Sequence, residues 1–176
     1  NAADTMRHSR NWHRIMDMIQ YGGLPVISLL KGAVIGGGLE LASATHIRIA
    51  DETAFFQLPE GRRGIFVGGG ASVRVGRILG ADRMIEMMLT GRKYNAEDGL
   101  RLGLTHYVCD SEKAAEAKAI ELANTVAENA QLSNYVMIQA LSRIEDMAKT
   151  DGLFTESLCA ALTQTSEDAQ EGLKAF

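Results

Sequence analysis

The stretch LPVISLLKGAVIGGGLELASATHIRIADETAFFQLPE, residues 24–60, decides the fold. Residues 25–30 form a short unbroken apolar run, the pattern of a buried strand. GAVIGGG (32–38) adds a second extended piece and ends in three glycines, Gly36, Gly37 and Gly38. LELASA (39–44) reads as a helix, HIRIAD (46–51) alternates as a strand does, and TAFFQL (53–58) is a further strand candidate. Strands alternating with helices imply an α/β core with crossover connections.

Working outward, residues 5–20 carry Trp12, Ile15, Met16 and Ile19 on one helical face. YGGLP (21–25) then breaks that helix, because glycine and proline interrupt regular structure. On the other side, residues 59–70 form a loop dense in glycine. Two consecutive helices are predicted over 71–80 and 81–89, divided at Gly80. Asn95 is placed to cap the helix AEDGLRLG, with Asp98 three residues on. LTHYVCD (104–110) is a last strand. From Ser111 glycine becomes rare and alanine abundant. A long helix over 111–129 is followed by one striped with Met137, Leu141, Ile144 and Ala148, then by two short ones over 153–165 and 166–175. The expected organisation is therefore an α/β core over 1–110 and a helical region over 111–176. The helices of the latter are compatible with an interface but do not require one, since an amphipathic helix can equally pack on its own core.

The chain has 176 residues, enough for one domain with a sizeable core. Its net charge of −4 argues against a nucleic-acid surface, which usually carries a basic excess. Cys109 and Cys159 are the only cysteines and have no metal-like spacing, so a reducing, cytoplasmic setting is expected. No apolar run approaches the ~20 residues that span a bilayer, and no membrane association is expected. The chain opens without Met, in the middle of a helical pattern, so a preceding segment is expected.

The chemistry concentrates around the triple glycine. A helix starting near Gly37 or Gly38 leaves its first amides without intrahelical partners, at the positive end of the helix dipole. Such a place stabilises an anion, including a transient oxyanion, or it is simply a tight strand-to-helix turn. The spacing fits neither a dinucleotide fingerprint nor a P-loop. Glu40 sits in the first helical turn, where a negative charge is favoured. Its neighbours Val34, Ile35, Leu39, Leu41 and Ala42 are apolar, and an unpaired buried carboxylate is costly. A carboxyl in an apolar pocket can work as acid or base near neutrality. Glu60 follows twenty residues later in LPEG. Taken alone it is a solvated turn; across one pocket from Glu40 it would complete the pair of carboxylates that moves a proton and a water. A second cluster, GGGAS (68–72), either holds water or substrate through its backbone or permits close packing. His46 lies in an apolar strand and reads as a satisfied core histidine. Arg62 and Arg63 read as a solvated face.

At these residues the sequence resembles the crotonase superfamily, the enoyl-CoA hydratase/isomerase group. Residues 24–60 resemble the block that runs from KPVIAAVNG through GGGCELA to a Pro-Glu pair. MMLTGRKYNAEDGLRLGL (87–104) and TSEDAQEGLKAF (165–176) resemble two later family segments. The likeness covers residues 22–176. It implies a crotonase-like spiral of β-β-α units with a C-terminal helical region, lacking the family's N-terminal part. It implies Glu40 and Glu60 as the catalytic pair that adds water across the 2,3-double bond of an acyl-CoA thioester. Glu40 would activate the water and Glu60 would protonate the α-carbon. Gly37 would supply one oxyanion-hole amide, and Gly68 or a neighbour would orient the water. Coenzyme A enters as part of the substrate, and no separate cofactor is expected. A homotrimer or hexamer, and a place in fatty-acid metabolism, follow from the same likeness.

Two features depart from the family pattern. The usual PGAGGTQRL reads here VGGGASVRV, with Val67 in place of proline. The AG.D stretch that carries the second oxyanion amide does not occur in the 176 residues. An enoyl-CoA isomerase, and a non-catalytic acyl-CoA-binding or scaffold member, are the alternatives.

Overall fold

The computed structural model describes residues 1–174. The chain forms two compact units. The first comprises Asn1–Gly22 and Val26–Glu121; the second comprises Gly23–Pro25 and the residues from Leu122 onward.

The first unit opens with α1 (Ala2–Tyr21), capped by Asn1, whose side chain accepts from the Asp4 amide at 3.1 Å. Its apolar stripe buries Met16 completely. The strands then alternate between two sheets. β1 (Ile27–Leu30) and β3 (Ile47–Asp51) lie parallel in one sheet, with Ile27 opposite Ile47. β2 (Ala33–Ile35) and β4 (Phe55–Gln57) lie parallel in the other, with Val34 opposite Phe56. Each pair of successive strands thus sends one member to each sheet, and α2 (Gly37–Ser43) makes the return between the pairs. This is the β-β-α repeat expected from the sequence. α3 (Ala71–Leu79) and α4 (Ala81–Thr90) follow, divided at Gly80 as the glycine signal predicts.

β5 (Tyr94–Asn95) adds an antiparallel edge to the second sheet, and it carries no signal of its own. Two residues are too short for a period, and only pairing with β4 makes them a strand. α5 (Ala96–Leu102) begins at the Asn95 cap, whose side chain accepts from the Asp98 amide at 2.8 Å. β6 (Tyr107–Cys109) completes the first sheet beside β3. The core lies where helices meet the sheets: Val34, Leu39, Phe56, Leu58, Val75, Leu79, Met87 and Leu104 form one buried cluster.

One buried charge braces this unit. Arg48 on β3 donates from Nε to Leu104 O at 2.8 Å, from Nη1 to Thr45 O at 3.0 Å and from Nη2 to Gly103 O at 3.1 Å. Three carbonyls thus satisfy a guanidinium that would otherwise be costly to bury. His106 accepts from the Arg48 amide at 3.0 Å through Nδ1. Burial, with the Arg48 charge, pushes the His106 pKa below the usual histidine value.

α6 (Glu112–Ala127) leads into the second unit, which is helical: α7 (Gln131–Ile144), α8 (Lys149–Gln164) and α9 (Glu167–Lys174). α8 starts at Lys149, ahead of the predicted position, because Ala148 caps it without a side-chain bond and leaves no polar signature. α7 and α8 pack closely where Gly152 meets Ile144; a methyl at Gly152 would stand 3.2 Å from Ile144 Cγ2. The last two residues of the motif over 165–176, Ala175 and Phe176, lie outside the described residues.

Gly99 in α5 tests the packing. A Cβ there would stand 2.3 Å from the ring of the fully buried Phe56. Helix propensity favours alanine over glycine by ~1 kcal/mol, but the ring is backed by the core and cannot withdraw. Gly99→Ala is expected to destabilise the fold by roughly 1–3 kcal/mol, the usual cost of overpacking. The shift in urea midpoint at unchanged slope measures it.

Candidate active site

The site is built on the end of β2. The Gly36 amide donates to Gln57 O at 3.0 Å, extending the β2–β4 pairing by one residue. Gly36 then turns the chain with φ 51°, a conformation that glycine adopts without strain. A Cβ there would also lie 3.3 Å from Glu60 Oε1. Its carbonyl accepts from the Glu40 amide at 2.9 Å, which starts α2. The amides of Gly37, Gly38 and Leu39 therefore lie in the first turn, with no intrahelical acceptor. No atom lies within 4 Å of where a Cβ on Gly37 or Gly38 would stand, so the chain passes beside open space here.

Glu40 is one turn into α2 and only 7% exposed. Its Oε1 accepts from the Gly69 amide at 2.7 Å and from the Ala71 amide at 3.3 Å. Two backbone donors on one oxygen fix the carboxylate and offset its burial. The approach is close enough to require glycine: a Cβ on Gly69 would lie 2.4 Å from Glu40 Oε2.

Glu60 follows β4 and Pro59 and opens a 3-10 turn, Glu60–Arg63. It too is 7% exposed, and its buried Oε2 accepts no hydrogen bond from the protein. Burial pushes its pKa above the ordinary carboxylate value, and the Glu40 charge pushes the same way; its own amide and Arg63 oppose them without cancelling the rise. The two glutamates are thus electrostatic neighbours with different surroundings, one gripped by amides and one carrying an unbonded oxygen.

The structure brings Glu40, Glu60, the Gly36–Gly38 turn and the Gly68–Gly70 loop into the first unit. The Gly68 carbonyl accepts from Ser9 Oγ at 2.6 Å. The residue that touches Glu40 is its neighbour Gly69, which the glycine cluster signals only as a group. Arg62 turns away from the site and donates to Thr90 O at the end of α4, where a cation meets the negative end of the helix. His46 is satisfied on both nitrogens: Nδ1 accepts from the Val26 amide at 2.9 Å, and Nε2 lies 3.0 Å from Gln20 O. Among the described residues no cluster of His, Cys, Asp or Glu could hold a metal ion, and no helix is long and apolar enough to cross a membrane.

A two-sheet β-β-α spiral is the framework of the crotonase superfamily. Residues 2–176 match the family model for enoyl-CoA hydratase/isomerase, and the chain belongs to that family. It is 33% identical over 165 residues to "Enoyl-CoA hydratase domain-containing protein 2, mitochondrial" of Mus musculus, covering 92% of this chain and 56% of that protein. Among solved structures, a chain from Rhodopseudomonas palustris CGA009 superposes with TM-score 0.95 at 50% identity, covering 100% of this chain and 68% of that one. The enoyl-CoA hydratase from Bacillus anthracis superposes with TM-score 0.92 at 31% identity, again covering 100% and 68%. The chain spans between 54% and 63% of the length of five curated relatives that it matches.

The raised Glu60 pKa has a consequence for stability. The folded state holds that proton more tightly than the unfolded chain does, so its stabilising effect is full below the ordinary glutamate value of ~4.3 and is lost as pH rises through the folded value. Glu60→Gln is therefore expected to raise the thermal midpoint at pH ~8, with the gain shrinking towards pH ~4.5. Unfolding scans of both proteins across that range measure the difference.

Proposed function

We propose that this chain carries the hydration chemistry of an enoyl-CoA hydratase: water adds across the 2,3-double bond of an acyl-CoA thioester. The observation that supports it is the pair of buried glutamates in unlike surroundings. Such a pair divides into a group that takes a proton and a group that gives one. In this reading Glu40, fixed by the Gly69 and Ala71 amides, orients the water and draws off its proton as oxygen bonds to the β-carbon. Glu60, whose pKa is raised by burial, delivers a proton to the α-carbon. Negative charge gathers on the thioester oxygen between the two steps, and the Gly37 amide faces it as an oxyanion donor. The Gly68–Gly70 loop borders the water. Coenzyme A enters with the substrate, and the reaction calls on no further cofactor.

The same reading extends to assembly and compartment. Leu153, Phe154, Leu158 and Leu162 of α8 are exposed large apolar residues, which supports a homotrimer or hexamer. The free thiols of Cys109 and Cys159 fit a reducing compartment such as the cytoplasm.

Hydration of a short enoyl-CoA by the full-length protein, followed by loss of the conjugated thioester absorbance, tests the proposal. Glu40→Gln and Glu60→Gln are each expected to lower kcat by roughly 10²–10⁴-fold, the range for a lost general acid or base. Gly37→Pro keeps a residue that helices accept at their first position while deleting the amide, and is expected to cost roughly 10²–10³-fold. Hydration that survives both glutamine variants would overturn the two-glutamate mechanism. Double-bond migration without hydration would identify an isomerase, and acyl-CoA binding without turnover would identify a scaffold.

A further inference from the structure

Ser9 on α1 donates from Oγ to Gly68 O at 2.6 Å, across 59 residues of sequence. The Gly68 carbonyl and the Gly69 amide are two ends of one peptide unit. The other end donates to Glu40 Oε1 at 2.7 Å. No cis peptide occurs among the described residues, so this unit is a rigid plane with its oxygen and hydrogen on opposite edges. A hydroxyl therefore grips one edge of the plate and a carboxylate grips the other.

The grip matters because of the residues on either side. Both are glycine, and rotating the plate about its flanking bonds meets little steric resistance. Half a turn would replace the N–H facing Glu40 with a carbonyl oxygen, setting an acceptor against a carboxylate. Within the described residues, the Ser9 hydroxyl is the side chain that holds the oxygen on the far side. The two bonds also polarise the same amide and strengthen one another.

Ser9 is carried by an anchored helix. Met16 of α1 is fully buried. Arg74 of α3 donates to Gln20 Oε1 and to Asp17 Oδ1, both at 2.7 Å. His13 Nε2 lies 3.4 Å from Ser9 Oγ. With the hydroxyl proton committed to Gly68, His13 takes part only as a donor at that longer distance.

We propose that Ser9 is a positioning residue for the reaction: through the Gly68–Gly69 peptide it holds the amide that orients Glu40. The proposal rests on the hydratase reading for its effect on rate, but not for the tie itself. Two readouts on the full-length protein separate these. In Ser9→Ala, hydration of a short enoyl-CoA is expected to lose between about 10-fold and 10²-fold in kcat, the scale of a misplaced catalytic group, with KM within about twofold. Ser9→Thr keeps the hydroxyl and is expected to recover most of the loss.

In parallel, hydrogen exchange of glycine-labelled protein reports the Gly69 amide directly. Its protection is expected to fall by about tenfold or more in Ser9→Ala. The Gly91 amide, which donates to Met87 O at 2.8 Å, reports the fold and is expected to hold. Unchanged Gly69 protection would overturn the proposal. So would a kcat loss that Ser9→Thr does not repair, or faster exchange at Gly91 as well. If the native protein hydrates no enoyl-CoA, the functional reading fails separately, and Gly69 exchange alone decides whether Ser9 holds the peptide.

Discussion

The site depends on a carboxylate buried against two backbone amides. Glu40 could not stay under apolar cover without the Gly69 and Ala71 donors, since an unpaired buried carboxylate would cost several kcal/mol. That requirement fixes the loop. Gly69 must lack a side chain for the carboxylate to come so near, and the start of α3 must lie where its first amides reach back to α2. The loop is in turn pinned by α1. Three elements distant in sequence are thus aligned by one acid, and that alignment leaves the same acid beside Glu60.

Glu60 shows the opposite treatment of the same chemical group. Its Oε2 is buried without a protein partner, and its surroundings favour the protonated form. A buried carboxyl with a raised pKa and an unbonded oxygen, set beside a well-satisfied carboxylate, is an arrangement that marks a candidate functional site.

Much of this was legible in the chain. The apolar runs at 25–30 and 33–35 and the alternation at 46–51 are local signals, and the strands formed where they lie. Glu40 announced itself as a charge among leucines. Glu60, in a Pro-Glu turn, was legible only through its pairing with Glu40 and the family resemblance. What could not be read were partners without a letter of their own. The amides that hold Glu40 belong to a glycine and an alanine, and any residue but proline offers the same N–H. Arg48 falls in the polar phase of the alternating strand, yet it is buried because the nearby Thr45 carbonyl and the adjacent carbonyls of Gly103 and Leu104, remote in sequence, converge on it. Ser9 sat in a polar helical stretch, and only its distance to Gly68 separates it from its neighbours.

The alternation of strands between two sheets also bears on how the chain acquires its structure. β1 and β2 emerge together but cannot pair with each other; each waits for its partner beyond α2. The first sheet is not closed until β6, near residue 107, has been made. Until β6 has been made, β3 keeps an open backbone edge on the side that β6 covers. Contacts so remote in sequence are slow to form, and exposed edges invite pairing with other chains. The fold that places its two acids together therefore creates a period of vulnerability on the ribosome, when a chaperone would be of most use.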